Sequence, residues 1–255
     1  MKTEFNEQQL KQIYPKGIDQ HYWTKARLWH IEDALQHFEG KKLLEIGCGT
    51  GVSTRGLKKR GHDIIGCDLC VGEVTESEKT YLFYEQDFAD LNSQILDQIE
   101  VVILLDVLEH IEHPKVFVSR IIEELPRLKE VLITLPARQE LWSNFDEFNG
   151  HFCRYDLTTI QRLEQPRFQL LRAYYLFQLL YLPALFIIKI FGGRAETINP
   201  PQGLVRAIHG IAAWLIYLSS VLLSHFKFFP GTSVIASYRV SNNESTNHVS
   251  KADKL

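Results

Sequence analysis

Apolar residues recur along the chain in short runs that end at a glycine or an acid, and stretches of mixed polarity separate them. KLLEI (42–46) is a compact apolar run ahead of glycine, the pattern of a strand covered on both faces. VSTRGLKKR (52–60) has helical polarity and stops at Gly61, which suits a helix C-cap. HDIIGCD (62–68), TYLFYEQD (80–87), EVVILLD (100–106) and KEVLITLP (129–136) read as further strands, and the 100–106 run is apolar enough to be central. HPKVFVSRIIEEL (113–125) is amphipathic, with Pro114 in its first turn. A helix is expected near 156–164, and FQLLRAYYLF (168–177) and GTSVIASYRV (231–240) read as the sixth and seventh strands. Strand and helix in alternation predict an α/β fold with a mostly parallel sheet and helices on both faces.

Three segments stand outside that alternation. Residues 1–40 read as helical and aromatic, an N-terminal lid whose Tyr22, Trp23 and Arg27 could cover a pocket or simply pack on the sheet. The tail 241–255 is polar and expected to be disordered. Between the last two strands, residues 178–229 hold two apolar segments joined by a turn with Pro200 and Pro201. The first, taken from Tyr174 to Phe191, is interrupted by Gln178, Pro183 and Lys189; the second, Ile208 to Phe226, is long enough to cross a bilayer. Arg206, His209, Ala213, Tyr217, Ser220 and Ser224 recur at steps of three and four, so they form a narrow polar or small stripe on an otherwise apolar helix. Arg194, Arg206 and Lys227 flank the two segments. A buried cap over the site, a hairpin lying in a membrane surface and a pair of spanning helices all fit this pattern, and the Pro and Lys interruptions count against spanning.

Charge divides the same way. Residues 1–150 carry 17 basic and 26 acidic groups (net −9), whereas 151–240 carry 9 basic and 3 acidic groups (net +6). An acidic body with a basic, apolar C-terminal part suits a membrane surface and argues against a nucleic-acid partner, which needs a basic face. The N-terminus has no apolar signal core and the four cysteines form no disulfide pattern, so a cytoplasmic protein is expected, peripheral on the inner face of a membrane. Cys67 and Cys70 form a C-x-x-C without a second pair at zinc spacing, and no metal site is read from them.

The chemistry concentrates in KKLLEIGCGTGVSTRGLKKRGHDIIGCDL. Gly47, Gly49 and Gly51 between a strand and a helix allow a sharp turn and close approach of a ligand to the backbone. No Gly-Lys-Ser/Thr follows, which excludes a phosphate-gripping P-loop, and Glu45 at the strand end disfavours a pyrophosphate. Asp68, ending the second strand, is placed to accept ribose hydroxyls. Asp87 could accept from an adenine amino group and Phe88 could cover the ring. An acid-lined nucleoside site without phosphate contacts suits a cation, S-adenosylmethionine.

LLEIGCGTG, the Asp68 strand end, EQDFADL and LLDVLEHIEHP together resemble the class I S-adenosylmethionine-dependent methyltransferases, most of all the branch with the ubiquinone-biosynthesis O-methyltransferases. The likeness covers roughly residues 40–165. PARQELWSNFDEFNGHFCRYD (136–156) resembles a subgroup with an apolar C-terminal insertion, with Cys153 in place of the usual arginine or aromatic. The resemblance implies a Rossmann-like seven-stranded sheet with an antiparallel last strand, formed by 41–177 plus 230–240. It adds Asp106 to the cofactor set of Glu45, Gly47, Gly49, Gly51, Asp68, Asp87 and Phe88. His110 and His151, on loops after the fourth and fifth strands, are candidates for base or acceptor-orienting group, with Arg154 and Tyr155 beside them. The expected activity is methyl transfer to a small or lipid-linked acceptor at oxygen. The alternative is a catalytically silent fold of the same kind that binds a partner or membrane. No nucleic-acid-modifying N/D-P-P-Y/F motif follows the fourth strand.

Overall fold

The computed structural model describes residues 12–226 and 228–241; residues 1–11 of the expected lid, the flanking Lys227 and the tail 242–255 lie outside the described residues. The strands are β1 (Lys42–Ile46), β2 (Asp63–Cys67), β3 (Leu82–Phe83), β4 (Ile99–Leu105), β5 (Glu130–Pro136), β6 (Phe168–Leu176) and β7 (Ser233–Val240). The helices are α1 (Tyr22–Leu35), α2 (Val52–Lys59), α3 (Ser93–Leu96), α4 (Pro114–Glu124), α5 (Asn144–Phe148), α6 (Leu157–Gln161), α7 (Gln178–Phe191) and α8 (Val205–Leu223).

The seven strands form one sheet in the order β3-β2-β1-β4-β5-β7-β6. Strands β1 to β5 pair in parallel, and β7 runs antiparallel to both β5 and β6. The order reverses between β1 and β4, so a crevice opens at their carboxyl ends, where such sheets bind ligands. Ile103 and Leu104 of β4 are fully buried, and they belong to opposite cores because side chains alternate along a strand. On one face Phe117, Val118 and Ile121 of α4 pack with Ile160 of α6; on the other, Ala26, Ile31 and Leu35 of α1 pack with Leu57 of α2 and Ile216 of α8. Helices on both faces are therefore as expected.

The third strand is much shorter than the expected 80–87. Glu85 takes a positive φ of 55°, and the chain turns back over β2: Glu85 N donates to Cys70 O (3.1 Å) and Gln86 N to Asp68 O (3.2 Å). The backbone donors of 85–86 thus serve the loop after β2 instead of a ladder.

The insertion departs further from a buried cap. The narrow stripe of α8 faces the protein: Ala213 and Ser220 are buried against it, His209 Nδ1 accepts from Tyr22 N (3.2 Å), and Tyr217 OH donates to Asp33 Oδ2 (2.6 Å). Ser220 Oγ also accepts from Phe177 N (2.8 Å), a left-handed residue at the β6–α7 junction. The broad apolar face, with Ile208, Ile211, Trp214, Leu215 and Leu222, points to solvent, as do Leu182, Phe186 and Ile190 of α7. The usual amphipathic arrangement is inverted. The 19-residue α8 is long and apolar enough to cross a membrane by length and composition.

Candidate functional site

Gly47, Gly49 and Gly51 carry the chain from β1 into α2, all with positive φ (75°, 55° and 74°). A side chain at Gly47 would be strained, since its Cβ would stand 2.8 Å from Val107 Cγ2. Asp68 pins this loop: its Oδ2 accepts from Gly49 N (2.6 Å) and its Oδ1 from Cys70 N (2.9 Å). A carboxylate has about four acceptor positions, so two remain for a ligand. Glu45 is buried beneath the loop and accepts from the Thr54 hydroxyl. Burial, only partly offset by Thr54 and Arg27, pushes its carboxyl up to about 7. A cation delivered there would favour the charged form.

The N-terminal segment reaches into this crevice. Arg27, buried on α1, pairs with Asp106 at the end of β4 and has its guanidinium carbon 4.3 Å from the Trp23 ring centroid. Asp106 has φ 57°, and Thr134 Oγ1 donates to its other oxygen (3.3 Å). Tyr14, near Gly49, bonds with Arg27, and burial raises its phenol to about 12. Tyr14, Arg27, Glu45 and Gly47 enclose a cavity of about 10 Å³, far below the ~300 Å³ or more of ligand pockets. A nucleoside does not fit into this cavity as it stands. Of the three expected lid residues, Arg27 lines the cavity, Trp23 supports it, and Tyr22 turns to His209.

At the ends of β4 and β5 a second constellation forms. Glu109, His110 and His151 each bring one potential ligand atom within 4.8 Å of the others, and the two imidazoles meet edge to face at 4.7 Å. Glu109 is fully buried, and among the described residues neither carboxylate oxygen has a hydrogen-bond partner. Burial first, then the charge of Asp106, holds its carboxyl well above the ordinary range. Burial and then His151 lower His110 to about 3. Each imidazole is oriented from behind: His110 by the Asn149 backbone, His151 by Asp146 Oδ1 at 2.9 Å from its Nδ1. An ionised carboxylate only accepts, so His151 Nδ1 carries the proton and Nε2 is left to act. Two oriented histidines and an unpartnered carboxylate fit a borderline divalent cation with open positions.

Asp146 organises this side. It is fully buried and accepts from Ser143 N (3.0 Å), from Arg154 Nε (2.8 Å) and Nη2 (3.0 Å), and from His151. Burial alone would raise its pKa; the His151 and Arg154 contacts outweigh it and hold it at about 2.

Contacts within the protein engage several of the expected site residues. Arg154 is buried, doubly bonded to Asp146 and donates to Ala137 O (3.1 Å), so its fork is not free for a substrate anion. Tyr155 is buried and its hydroxyl donates to Leu108 O (3.3 Å), which makes it a packing residue. Asp87 is engaged by both Nη groups of Arg120 (2.8 and 3.0 Å), and Phe88 is buried against Phe117. Neither presents itself to an adenine in this arrangement. Tyr14, Glu109 and Asp146 were not singled out from sequence. Glu109 stands beside His110 in LLDVLEHIEHP, and the Ser143-x-x-Asp146 capping box marks Asp146 as a helix-entry acid.

Comparison with known proteins agrees with this geometry. Residues 22–166 match a family profile described as methyltransferase domain. The chain is 28% identical over 102 residues to the ubiquinone biosynthesis O-methyltransferase of Acinetobacter baumannii (strain AYE), covering 37% of this chain and 43% of that protein. It is 34% identical over 101 residues to the same-named protein of Aeromonas salmonicida (strain A449), covering 37% and 42%. The chain thus spans less than half the length of these curated relatives. Among solved structures, a coclaurine N-methyltransferase bound to N-methylheliamine and S-adenosylhomocysteine (SAH) shares the fold, with a TM-score of 0.51 at 12% identity over 92% of this chain and 79% of that one. The seven-stranded sheet, the glycine loop tied to Asp68 and a family match over more than half of the residues together show that this chain belongs to the class I S-adenosylmethionine-dependent methyltransferases.

Proposed function

We propose that the protein transfers the methyl group of S-adenosylmethionine to an oxygen of a small or lipid-linked acceptor. The observation that carries this is the placement of two sites on neighbouring strand ends: the Asp68-pinned glycine loop at β1–β2 and the Glu109, His110 and His151 group after β4 and β5. The loop and Glu45 receive the cationic cofactor, and the remaining acceptor positions of Asp68 take the ribose hydroxyls. Methyl transfer is an in-line displacement, so the main task of the chain is alignment and exclusion of water. On the acceptor side Glu109, His110 and His151 would hold a divalent cation, which when bound lowers the pKa of a neighbouring acceptor hydroxyl. Asp146 keeps His151 turned toward that position. The oxygen acceptor draws support from the names of the curated relatives.

A second reading has the Asp146–His151 pair as its motive. An imidazole whose Nδ1 proton is held by a buried carboxylate presents Nε2 to take the acceptor proton without a cation, a contribution of about 10²–10⁴-fold. Labelled S-adenosylmethionine incubated with a cell extract, then split into lipid, soluble and protein fractions, tests the activity. Label is expected in the lipid or small-molecule fraction, on oxygen. Loss of transfer after chelation, restored by a divalent cation, selects the first reading, and transfer that survives chelation selects the second. Tight SAH binding with no label in any fraction overturns the enzyme reading.

We further propose that the protein sits on the inner face of a membrane, bound through α7 and α8. Supporting this are the outward apolar faces of both helices and the net charge of +6 over residues 151–240. An acceptor held in the bilayer would then reach the site without crossing water.

A further inference from the structure

The loop that joins α7 to α8 is fastened at both ends. At one end it is clamped to α5, the helix that carries Asp146: Asn144 Oδ1 accepts from Arg194 N (2.9 Å) and Asn144 Nδ2 donates to Arg194 O (3.0 Å). Gly193 permits that approach, since a Cβ there would stand 2.5 Å from Asn144 Oδ1. At the other end Ile198 N donates to Gln12 O (3.4 Å), and Pro200 lies against Gly17, a few residues from the Tyr14 that covers Gly49. The loop thus runs from the acceptor side to the cofactor side.

Arg194 is the charged residue this clamp places. Its guanidinium carbon sits 3.8 Å from the Phe145 ring centroid. Among the described residues no carboxylate lies within ion-pair distance of it, and none of its side-chain N–H groups meets an acceptor. Arg154 is by contrast engaged by Asp146 and Ala137. A guanidinium held on an aromatic face, with its donor fork unused and the residue open to solvent, is built to receive a planar or tetrahedral oxyanion.

We infer that Arg194 is a specificity-determining residue that binds a carboxylate or phosphate group, carried either by the methyl acceptor or by an anionic lipid headgroup at the membrane face. A guanidinium stays charged at neutral pH and gains from an added anion. The inference rests on the reading of Glu109, His110 and His151 as the acceptor side.

The test compares wild type with Arg194→Gln and Arg194→Lys, all loaded with SAH. One arm measures binding of 4-hydroxybenzoate against phenol, which differ in the carboxylate. The other measures flotation on phosphatidylcholine vesicles with and without phosphatidylglycerol. If the acceptor supplies the anion, wild type prefers 4-hydroxybenzoate by about tenfold or more, Arg194→Gln abolishes the preference and Arg194→Lys restores part of it. If the headgroup supplies it, Arg194→Gln instead abolishes the extra flotation that phosphatidylglycerol gives. No Arg194 dependence in either arm overturns the inference. SAH affinity is expected to be the same in all three proteins, and loss of SAH binding by wild type would instead overturn the cofactor reading.

Discussion

The outward faces of α7 and α8 give the membrane proposal a magnitude. Ile208, Ile211, Trp214, Leu215 and Leu222 of α8 are 60%, 63%, 55%, 48% and 61% exposed. Fully burying an aliphatic or aromatic side chain of this size gains roughly 1.5–3 kcal/mol, so half to two-thirds of it gains about 1–2 kcal/mol each, or about 5–8 kcal/mol for the five. Leu182, Phe186, Ile190 and Phe191 of α7, exposed to a similar degree, add a comparable amount. Basic groups near an anionic leaflet add about 1 kcal/mol each, a minor share. Trp214→Glu with Leu222→Glu removes two apolar contributions and sets two carboxylates against the headgroups, for a loss of about 4 kcal/mol or more, roughly a thousandfold in partitioning. Both positions point away from the protein, so thermal stability should be unchanged. Flotation on vesicles with anionic lipid is the assay: wild type should rise, persist through a high-salt wash and be released by detergent, and the double variant should stay at the bottom. Wild type that fails to float, or a double variant that floats equally, refutes the reasoning.

Three further outcomes follow from the interior. Asp146→Asn leaves the buried Arg154 without its counter-charge and should cost about 3–5 kcal/mol in urea unfolding; a change below 1 kcal/mol would mean that Arg154 finds another partner. Glu45 titrates near 7 in the folded chain against an ordinary 4.5, so the folded state binds the extra proton and stability falls as pH rises from about 4.5 to 7, by about 3 kcal/mol. Glu45→Gln should flatten that part of the pH profile, and an identical slope in both proteins would contradict the assignment. Gly47→Ala forces a left-handed alanine against Val107 and should cost at least about 1–2 kcal/mol together with most of the SAH affinity, read by thermal shift and calorimetry.

The half of the fold around β1, β2, β4 and β5 was legible because its strands are apolar runs that nothing else competes for. The apolar run KLLEI coincides with β1, and β4 begins one residue ahead of EVVILLD. TYLFYEQD was overread because alternation does not show that residues 85–86 give their donors to the loop after β2. The cofactor loop was equally visible, since glycine spacing and strand-end acids are local signals. The engagement of Arg154 is invisible in sequence: a free fork and one saturated by an aspartate eight residues earlier look the same in one dimension. The stripe on α8 was found, but not its direction. Whether Ser220 faces a protein backbone or open water depends on Phe177, 43 residues away.

The insertion departs after Leu176 and returns at Ser233, and those two residues are paired across β6 and β7. It is therefore the tip of one long hairpin, covalently joined to the sheet at a single rung, and α8 folds back from there onto α1. Lengthening such a tip costs little, because closure entropy grows only with the logarithm of length; from a tight turn to this size the difference is about 2 kcal/mol. The tip is thus open to exchange between chains as a cassette, provided that the face of α1 beneath α8 is exchanged with it. Grafted with that face onto another enzyme with the same sheet, it would carry over the outward apolar surface of α7 and α8 in one step.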